Sequence, residues 1–559
     1  MTTSYDIVPY PSTSHIFTHP NTLATAATLL GLDPTPIEHC RMLEVGCASG
    51  GNLIPMALEL PESEFVGIDA SSVQIAEGQT ALEIAGAACR NVTLKHMDIM
   101  DVNSDLGQFD YIVAHGIFSW VPDAVRDKLL DLYREHLAPN GVAYISYNTY
   151  PGWHMLGTMR EMMLYHTRNI PEPQMRIAQA RALIQFLGDT LDTASQTSSS
   201  LLTKAYASFL KSEQDHLGSS TDSYLFHEEL EEVNDPLYFH EFAAQAARHG
   251  LQYLCEANLG DVFLNDFPAQ VTEQLLKMAH DIIELEQYMD FLRNRTFRKT
   301  LLVHQAMPFS RKLRLDRVPR LYAASNARPV SSQPNIGSIS IEEFSNPSGL
   351  KLATDHPVTK AAMLCLDDAW PGALSFNALL DRAYARLNQP GPDQARRAQD
   401  AQVLAANLLR GFAYSSRLIE LGSYAPRFAT EVSERPVASP WARYQAQTMF
   451  NLPGRPDDEH PPATIVTSLC HERVEVKGLA LYLLGHLDGS LDRGALLEGV
   501  AKSVLEGSLV LKPSQDGQAS KGGGVAPSAP TDMEQARQMV AQDLDETLRG
   551  LARAALLVA

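Results

Sequence analysis

The stretch Leu43-Glu44-Val45-Gly46-Cys47-Ala48-Ser49-Gly50-Gly51-Asn52 decides the fold. An apolar strand runs into a turn of small residues, and Leu53 to Leu58 then begins a helix. Glycine and alanine are needed in such a turn because it is tight and because a ligand must come closer to the backbone than a Cβ permits. A glycine-rich turn alone has little specificity, since it also occurs in dinucleotide enzymes and in loops that bind nothing.

Working outward, short β-branched runs alternate with amphipathic stretches from Arg41 to about Val142, the pattern of a parallel sheet covered by helices. The expected strands are Arg41 to Val45, Phe65 to Ile68, Val92 to His96, Tyr111 to Ala114 and Val142 to Ser146, with a helix from Ser71 to Ala88. Closing elements are expected downstream. Phe242, Ala246 and His249 carry a helical period, Gly250 suits a C-cap, and Leu251 to Cys255 reads as a strand. Thr300 to His304 would complete the sheet after a helix around Gln274 to Arg293. The fold class is therefore α/β, a doubly wound, Rossmann-like sheet. Trp153 to Ser223 is a helical insertion at the ligand-binding end of that sheet, a lid or a dimerisation element, with a loop at Thr193 to Ser200.

Three acids sharpen the reading. Glu44 stands two residues before the first glycine, where a carboxylate suits an amino group better than a pyrophosphate. Asp69 ends the second strand, where a carboxylate can accept both hydroxyls of a ribose. Asp98, in Met97-Asp98-Ile99, follows the third strand where an adenine amino group would be held. In this order around a G-x-A-x-G turn, the acids resemble the layout of class I methyltransferases, which take S-adenosyl-L-methionine. The residues expected at that cofactor are Glu44, Gly46, Cys47, Ala48, Gly50, Asn52, Asp69, Gln74, Met97, Asp98, Ile99 and His115, with Tyr5, Tyr10 and His15 folding over it as a lid. No metal is expected.

A narrower resemblance rests on Tyr5-Asp6-Ile7-Val8-Pro9-Tyr10-Pro11-Ser12, Tyr224-Leu225-Phe226-His227-Glu228, Tyr238-Phe239-His240-Glu241-Phe242 and Phe291-Leu292-Arg293-Asn294-Arg295. These are similar to bacterial methyltransferases with a methyltransferase regulatory domain, among them the rickettsial enzymes that methylate lysines of outer-membrane proteins. The resemblance covers roughly the first 305 residues and implies a protein substrate, lysine as acceptor and a homodimer. Two alternatives stand beside it: methylation of a small molecule on N or O, and a non-catalytic protein that senses S-adenosylmethionine.

The methyl group should point toward the segments after the fourth and fifth strands. In His115-Gly116-Ile117-Phe118-Ser119-Trp120, His115 is a candidate proton acceptor and Trp120 a candidate π face for a cation. Tyr147, Asn148 and Tyr150 are candidates for orienting an amine, although Tyr150-Pro151-Gly152 is equally good turn chemistry.

The C-terminal half reads as smaller α+β, winged-helix-like units. The expected division is 1–152 for the cofactor-binding core, 153–223 for the insertion, 224–310 for completion of the core and the regulatory region, and 311–348 for a linker. Residues 349–427 and 428–511 form two winged-helix-like domains, the first with helices at Thr359 to Leu366 and Phe376 to Leu387, the second with helices at Val476 to His486 and Arg493 to Val504. A flexible linker at 512–531 precedes a last helix at 532–559. The basic patch Arg311, Lys312, Arg314, Arg317 and Arg320 is read as a solvated linker surface.

With 45 Lys+Arg against 66 Asp+Glu, the formal charge of −21 disfavours nucleic acid and suits a basic partner. Six cysteines with no C-x-x-C pair fit a reducing compartment, no apolar run is long enough for membrane insertion, and the opening residues lack a secretory signal pattern, so a cytoplasmic location is expected.

Overall fold

The computed structural model describes residues 7–8, 10–264, 266–388, 393–450, 464–509 and 530–559. A seven-stranded sheet organises the first half. Its strands are β1 (Arg41–Val45), β2 (Glu64–Asp69), β3 (Val92–His96), β4 (Phe109–Ala114), β5 (Leu137–Asn148), β6 (Leu251–Glu256) and β7 (Phe297–His304), in the order β3-β2-β1-β4-β5-β7-β6. β1 to β5 run parallel, and β7 is inserted antiparallel between β5 and β6. The chain order reverses at β1 and β4, so the carboxyl ends of these two strands open the crevice where ligands of doubly wound sheets sit.

Alternation along each strand divides the apolar residues between two faces. Met42, Phe65, Tyr111 and Tyr144 face one core, and Leu43, Val66, Ile112 and Ile145 face the other. The helix Asp123–His136 buries Leu129, Leu130 and Tyr133 in the second core. In the first core lie the helix Pro20–Leu29 and also Ala361, Leu366, Leu379, Leu404 and Leu408 from residues 357–414.

That shared core changes the expected division of the chain. Residues 311–348 contribute strands at Tyr322–Ala324, Arg328–Pro329 and Glu342–Ser345, and Val318, Leu321, Ala323 and Phe344 are buried in the core common to the sheet and the middle region. A polar composition suggested a linker there; alternate apolar residues anchor it instead. The basic patch is a set of local pairs: Arg317 and Arg320 both hold Asp33, and Arg314 holds Asp316. In the middle region the expected helices are present at Pro357–Ala369 and Phe376–Arg386, joined by a helix at Gln394–Tyr414 that the sequence reading had not separated.

The insertion is helical at Gly152–Thr167, Pro173–Thr197 and Leu201–Ser219, around its own small core of Met163, Ile177, Ile184, Leu210 and Leu217. The loop expected at Thr193 to Ser200 is shorter, because the second helix continues to Thr197 before Ser200 caps the third. Gly188 leaves room for the Gln214 side chain, whose carboxamide oxygen would lie 2.4 Å from a Cβ there.

At the C-terminus, helices Pro440–Phe450, Gly478–His486 and Arg493–Leu505 pack with the hairpin Thr464–Thr467/Arg473–Val476. The last helix, Met533–Arg553, is part of this core through Val540, Leu544 and Leu548, rather than a separate appendage. The expected flexible linker falls almost wholly outside the described residues. Among those described, no helix is long and apolar enough to cross a membrane.

Candidate functional site

The turn after β1 has the conformation its composition requires. Gly46, Ala48 and Gly50 have φ of 70°, 49° and 78°. A Cβ on Gly46 would stand 2.2 Å from the Ile117 side chain, so glycine here provides both backbone freedom and clearance. The Gly46 and Cys47 amides donate to the Ile68 carbonyl at 2.8 and 3.1 Å, tying the turn to the end of β2. The Cys47 side chain is buried, and burial pushes its thiol well above the usual range, which leaves the backbone as its contribution to the site.

The acids behave differently from one another. Asp69 accepts the Ala48 amide on Oδ2 and the Ser71 amide on Oδ1, both at 2.8 Å, and thereby fixes its carboxylate at the end of β2. Asp98 is exposed and accepts the Met100 amide at 2.9 Å, between half-buried Met97 and Ile99. Glu44 is 4% exposed. Its Oε1 accepts from Asn52 Nδ2 at 2.7 Å, while Oε2 is buried with no hydrogen-bond partner among the described residues. Burial pushes Glu44 up to about 7, against the pull of Asn52. A buried carboxylate oxygen without a donor is costly unless a polar ligand supplies one.

Asn52 is the hub of the site. Its Oδ1 accepts the His15 amide at 2.8 Å and faces His471 Nε2 at 2.9 Å, and its Nδ2 also donates to Thr18 at 2.9 Å. The N-terminal segment therefore crosses the glycine turn as a strap. Ser12 Oγ accepts the Gly51 amide at 2.7 Å, and a Cβ on Gly51 would lie 2.3 Å from the Ser12 carbonyl oxygen. The Tyr10 carbonyl accepts from buried Gln74 at 3.2 Å. His15 packs on His115 with ring centres 4.0 Å apart, and His115 Nδ1 meets the Tyr144 hydroxyl at 2.8 Å. Burial holds His15 at about 4 and His115 well below the usual imidazole range, so both are neutral at pH 7. Tyr5 lies outside the described residues.

Of the candidates after β4 and β5, Tyr147 points away from the crevice. It is 1% exposed, stacks on Phe242 at 4.1 Å and meets Thr300 Oγ1 at 3.1 Å, so it is a packing residue of the second core. Alternation along β5 carries its neighbour Asn148 to the other side, where Nδ2 donates to Asn234 at 3.0 Å. Tyr150 stacks on His154 and adjoins Tyr238, and Trp120 meets Trp153 edge to face.

Sequence reading missed three contributors. His471 comes from the turn of the C-terminal hairpin, 419 residues from Asn52, and nothing local marks it. Ser14 faces Thr467 across the same junction at 3.3 Å, and the Arg473 charge reaches both His15, where it adds to the lowering by burial, and Tyr10, where it weakly opposes a rise caused by burial. The third is the acidic segment Glu228-Glu229-Leu230-Glu231-Glu232-Val233-Asn234-Asp235. It crosses the carboxyl ends of β4 and β5: Glu228 acts on Tyr10 of the strap, Asn234 accepts from Asn148, and the Asp235 amide donates to the Ser119 carbonyl at 2.8 Å. Burial pushes Glu228 up to about 7 and Glu229 up to about 8.

Comparison with known proteins agrees with this geometry. Residues 43–143 match a family described as a methyltransferase domain, residues 221–304 one described as a predicted methyltransferase regulatory domain, and residues 434–556 one described as the PKMT C-terminal winged helix domain. An uncharacterized protein of Rickettsia prowazekii is 35% identical over 519 residues, covering 92% of this chain and 88% of its own. The structure of PKMT2 from Rickettsia typhi in complex with AdoHcy matches with a TM-score of 0.81 and 29% identity, over 99% of this chain and 100% of that one. The chain belongs to the class I S-adenosylmethionine-dependent methyltransferases. Within that family it resembles the rickettsial PKMT proteins along its whole length, including the C-terminal domain that brings His471 to Asn52.

Proposed function

We propose that this methyltransferase transfers methyl groups to lysine side chains of a protein substrate. The acidic segment 228–235 carries the reading, because it crosses the carboxyl ends of β4 and β5 and brings a surplus of acid to that side of the sheet, Asp235 being paired with Arg126, which suits a cationic acceptor. The similarity to PKMT2 and to the PKMT winged helix domain, PKMT standing for protein lysine methyltransferase, supports the same acceptor.

Residues of this chain fit the cofactor. Glu44 Oε2 takes an amino group, Asp69 the ribose hydroxyls, and Asp98, with Met97 and Ile99 as apolar walls, the adenine. The turn 46–50 gives close backbone approach, and the strap with Tyr10 and His15 covers it. When bound, S-adenosylmethionine supplies an electrophilic methyl group on a sulfonium.

The chain's own task is to position an acceptor and to remove its proton. A lysine ammonium, with a pKa of about 10.4 in water, must become an amine. His115 is a weak base in its buried setting and serves as a neutral positioning group. Glu228, raised by burial to about 7, accepts a proton more readily than an ordinary carboxylate and is the proposed acceptor, whereas Glu229, raised to about 8, is largely neutral at pH 7. Asn148 Oδ1 orients the amine, and Trp120 and Tyr150 flank the aliphatic stem. Exposed Phe186, Leu201 and Leu202 on the insertion support pairing with a second copy, and six free cysteines support a cytoplasmic location.

Incubation of the full chain with trideuteriomethyl-labelled S-adenosylmethionine and a lysine-rich protein, followed by peptide mass spectrometry, tests the proposal. Label on lysine Nζ is expected. Label confined to small-molecule acceptors, or no label on lysine while cofactor binds, would overturn it.

A further inference from the structure

Glu44 Oε2, the oxygen that would take the cofactor's amino group, is shut off from solvent in this structure. A ligand reaches it only when something that covers the glycine turn moves. Two layers cover that turn. The inner one is the strap: Ser12 Oγ accepts the Gly51 amide, the His15 amide donates to Asn52 Oδ1 at 2.8 Å, and Thr18 accepts from Asn52 Nδ2 at 2.9 Å. The outer one is the hairpin Thr464–Thr467/Arg473–Val476 of the C-terminal domain. Thr467 meets Ser14 at 3.3 Å, His471 Nε2 faces Asn52 Oδ1 at 2.9 Å, and the His471 ring lies 5.1 Å from that of His19. Ser14, Thr18, His19, Asn52, Thr467 and His471 are each at most 4% exposed. The strap is thus clasped between the glycine turn and the hairpin, and it cannot lift from Asn52 while the hairpin stays in place.

The seam between hairpin and strap is made of hydroxyls, imidazoles and one carboxamide. Its hydrogen bonding is incomplete. Asn52 Oδ1 is shared between the His15 amide and His471, and His471 Nδ1 is buried with no partner among the described residues. Water supplies the missing bonds when such a seam parts, so separation costs far less than parting an apolar interface of the same size. The domain's apolar anchor lies elsewhere, at Trp441, which is buried in the core shared with the sheet and the middle region.

We propose that the C-terminal hairpin is a latch on the strap, and that S-adenosylmethionine enters, and its demethylated product leaves, only when hairpin and strap part. Seating of the C-terminal domain then sets the rate of cofactor exchange. The proposal rests on the placement of the cofactor's amino group at Glu44 and is independent of the identity of the methyl acceptor.

The full chain carrying S14C/T467C tests it, because a disulfide between these two touching positions locks the latch and a reductant frees it. With the bond confirmed by peptide mass spectrometry, uptake and release of tritiated S-adenosylmethionine should be at least tenfold slower than in the same protein after reduction. A second variant, T467V/H471A, loosens the seam and should speed release about threefold or more, with its thermal melt as the control for folding. Equal exchange rates in the locked and reduced forms would overturn the latch and leave the cofactor site standing, and so would unchanged release from folded T467V/H471A. Failure of the wild type to bind S-adenosylmethionine would instead overturn the placement at Glu44, and the latch with it.

Discussion

Two buried carboxylate clusters in this chain are built on opposite logic. Behind β7, Glu256, Glu286 and Asp290 surround Arg298, whose guanidinium donates to all three at 2.7 to 3.0 Å with every partner at most 1% exposed. Burial alone would raise Glu256, but Arg298 and Arg295 outweigh it and hold its pKa below the ordinary carboxylate range. At the glycine turn, Glu44 is equally buried, has only the neutral Asn52 as donor and is pushed up to about 7. The first cluster carries its own countercharge and joins β6, β7 and the helix Ile282–Arg293. The second lacks one among the described residues, which is the place the proposed cofactor's amino group would fill.

The largest effect is expected where compensation is internal. Arg298→Met would leave buried Glu286 without its cation and Glu256 and Asp290 with Arg295 alone, and should lower unfolding free energy by about 3–5 kcal/mol, read by urea denaturation. A loss below about 1 kcal/mol would show that the cluster is not held by this arginine.

Asp69→Ala moves the comparison to the cofactor side. It removes the proposed ribose acceptor and the anchor of the Ala48 and Ser71 amides, so calorimetric affinity for S-adenosylmethionine should fall by about 2–3 kcal/mol, while stability changes by about 1 kcal/mol. The inverse ranking, with stability lost and affinity kept, would make Asp69 a structural residue only.

A smaller effect is expected from His471→Ala, which removes one partner of Asn52 at the contact with the C-terminal domain. Affinity for the cofactor should weaken by about 1 kcal/mol, roughly fivefold, without loss of the domain's fold. No change would mean that the domain touches the site without tightening it.

The legible and illegible parts of the molecule follow the range of the forces that specify them. Strands β1 to β4, the turn at Gly46 and the helix after Ser71 were readable because β-branched runs, small residues and an N-cap are local signals, and their observed bounds differ by a few residues. β5 begins earlier than Val142, at Leu137, where it pairs with Phe109 across an irregular register. Burial of Val318, Leu321, Ala323 and Phe344 was not readable, because the surrounding Ser, Pro and Asn hide apolar positions that matter only once the sheet's outer core is in place. The orientation of Tyr147 turned on the parity of a strand whose end is set by pairing with β7. His471 meets Asn52 across 419 positions and the strap at Ser12 meets Gly51 across 39, and no short window along the chain contains both partners.

The comparison stands or falls on Glu44. Without cofactor it ionises near 7 in the folded chain and near 4.5 when unfolded, so the folded state holds more protons between these values and its stability declines as pH rises through that window. A ligand amino group reverses this, since it favours the carboxylate. Calorimetric titration of wild type and E44Q with S-adenosylmethionine between about pH 5.5 and 7.5, in buffers of different ionisation enthalpy, reads the linkage directly. The account predicts that wild-type affinity rises toward pH 7 with proton release on binding, whereas E44Q binds more weakly and without that pH dependence. Equal affinity and equal proton uptake in the two proteins would contradict it.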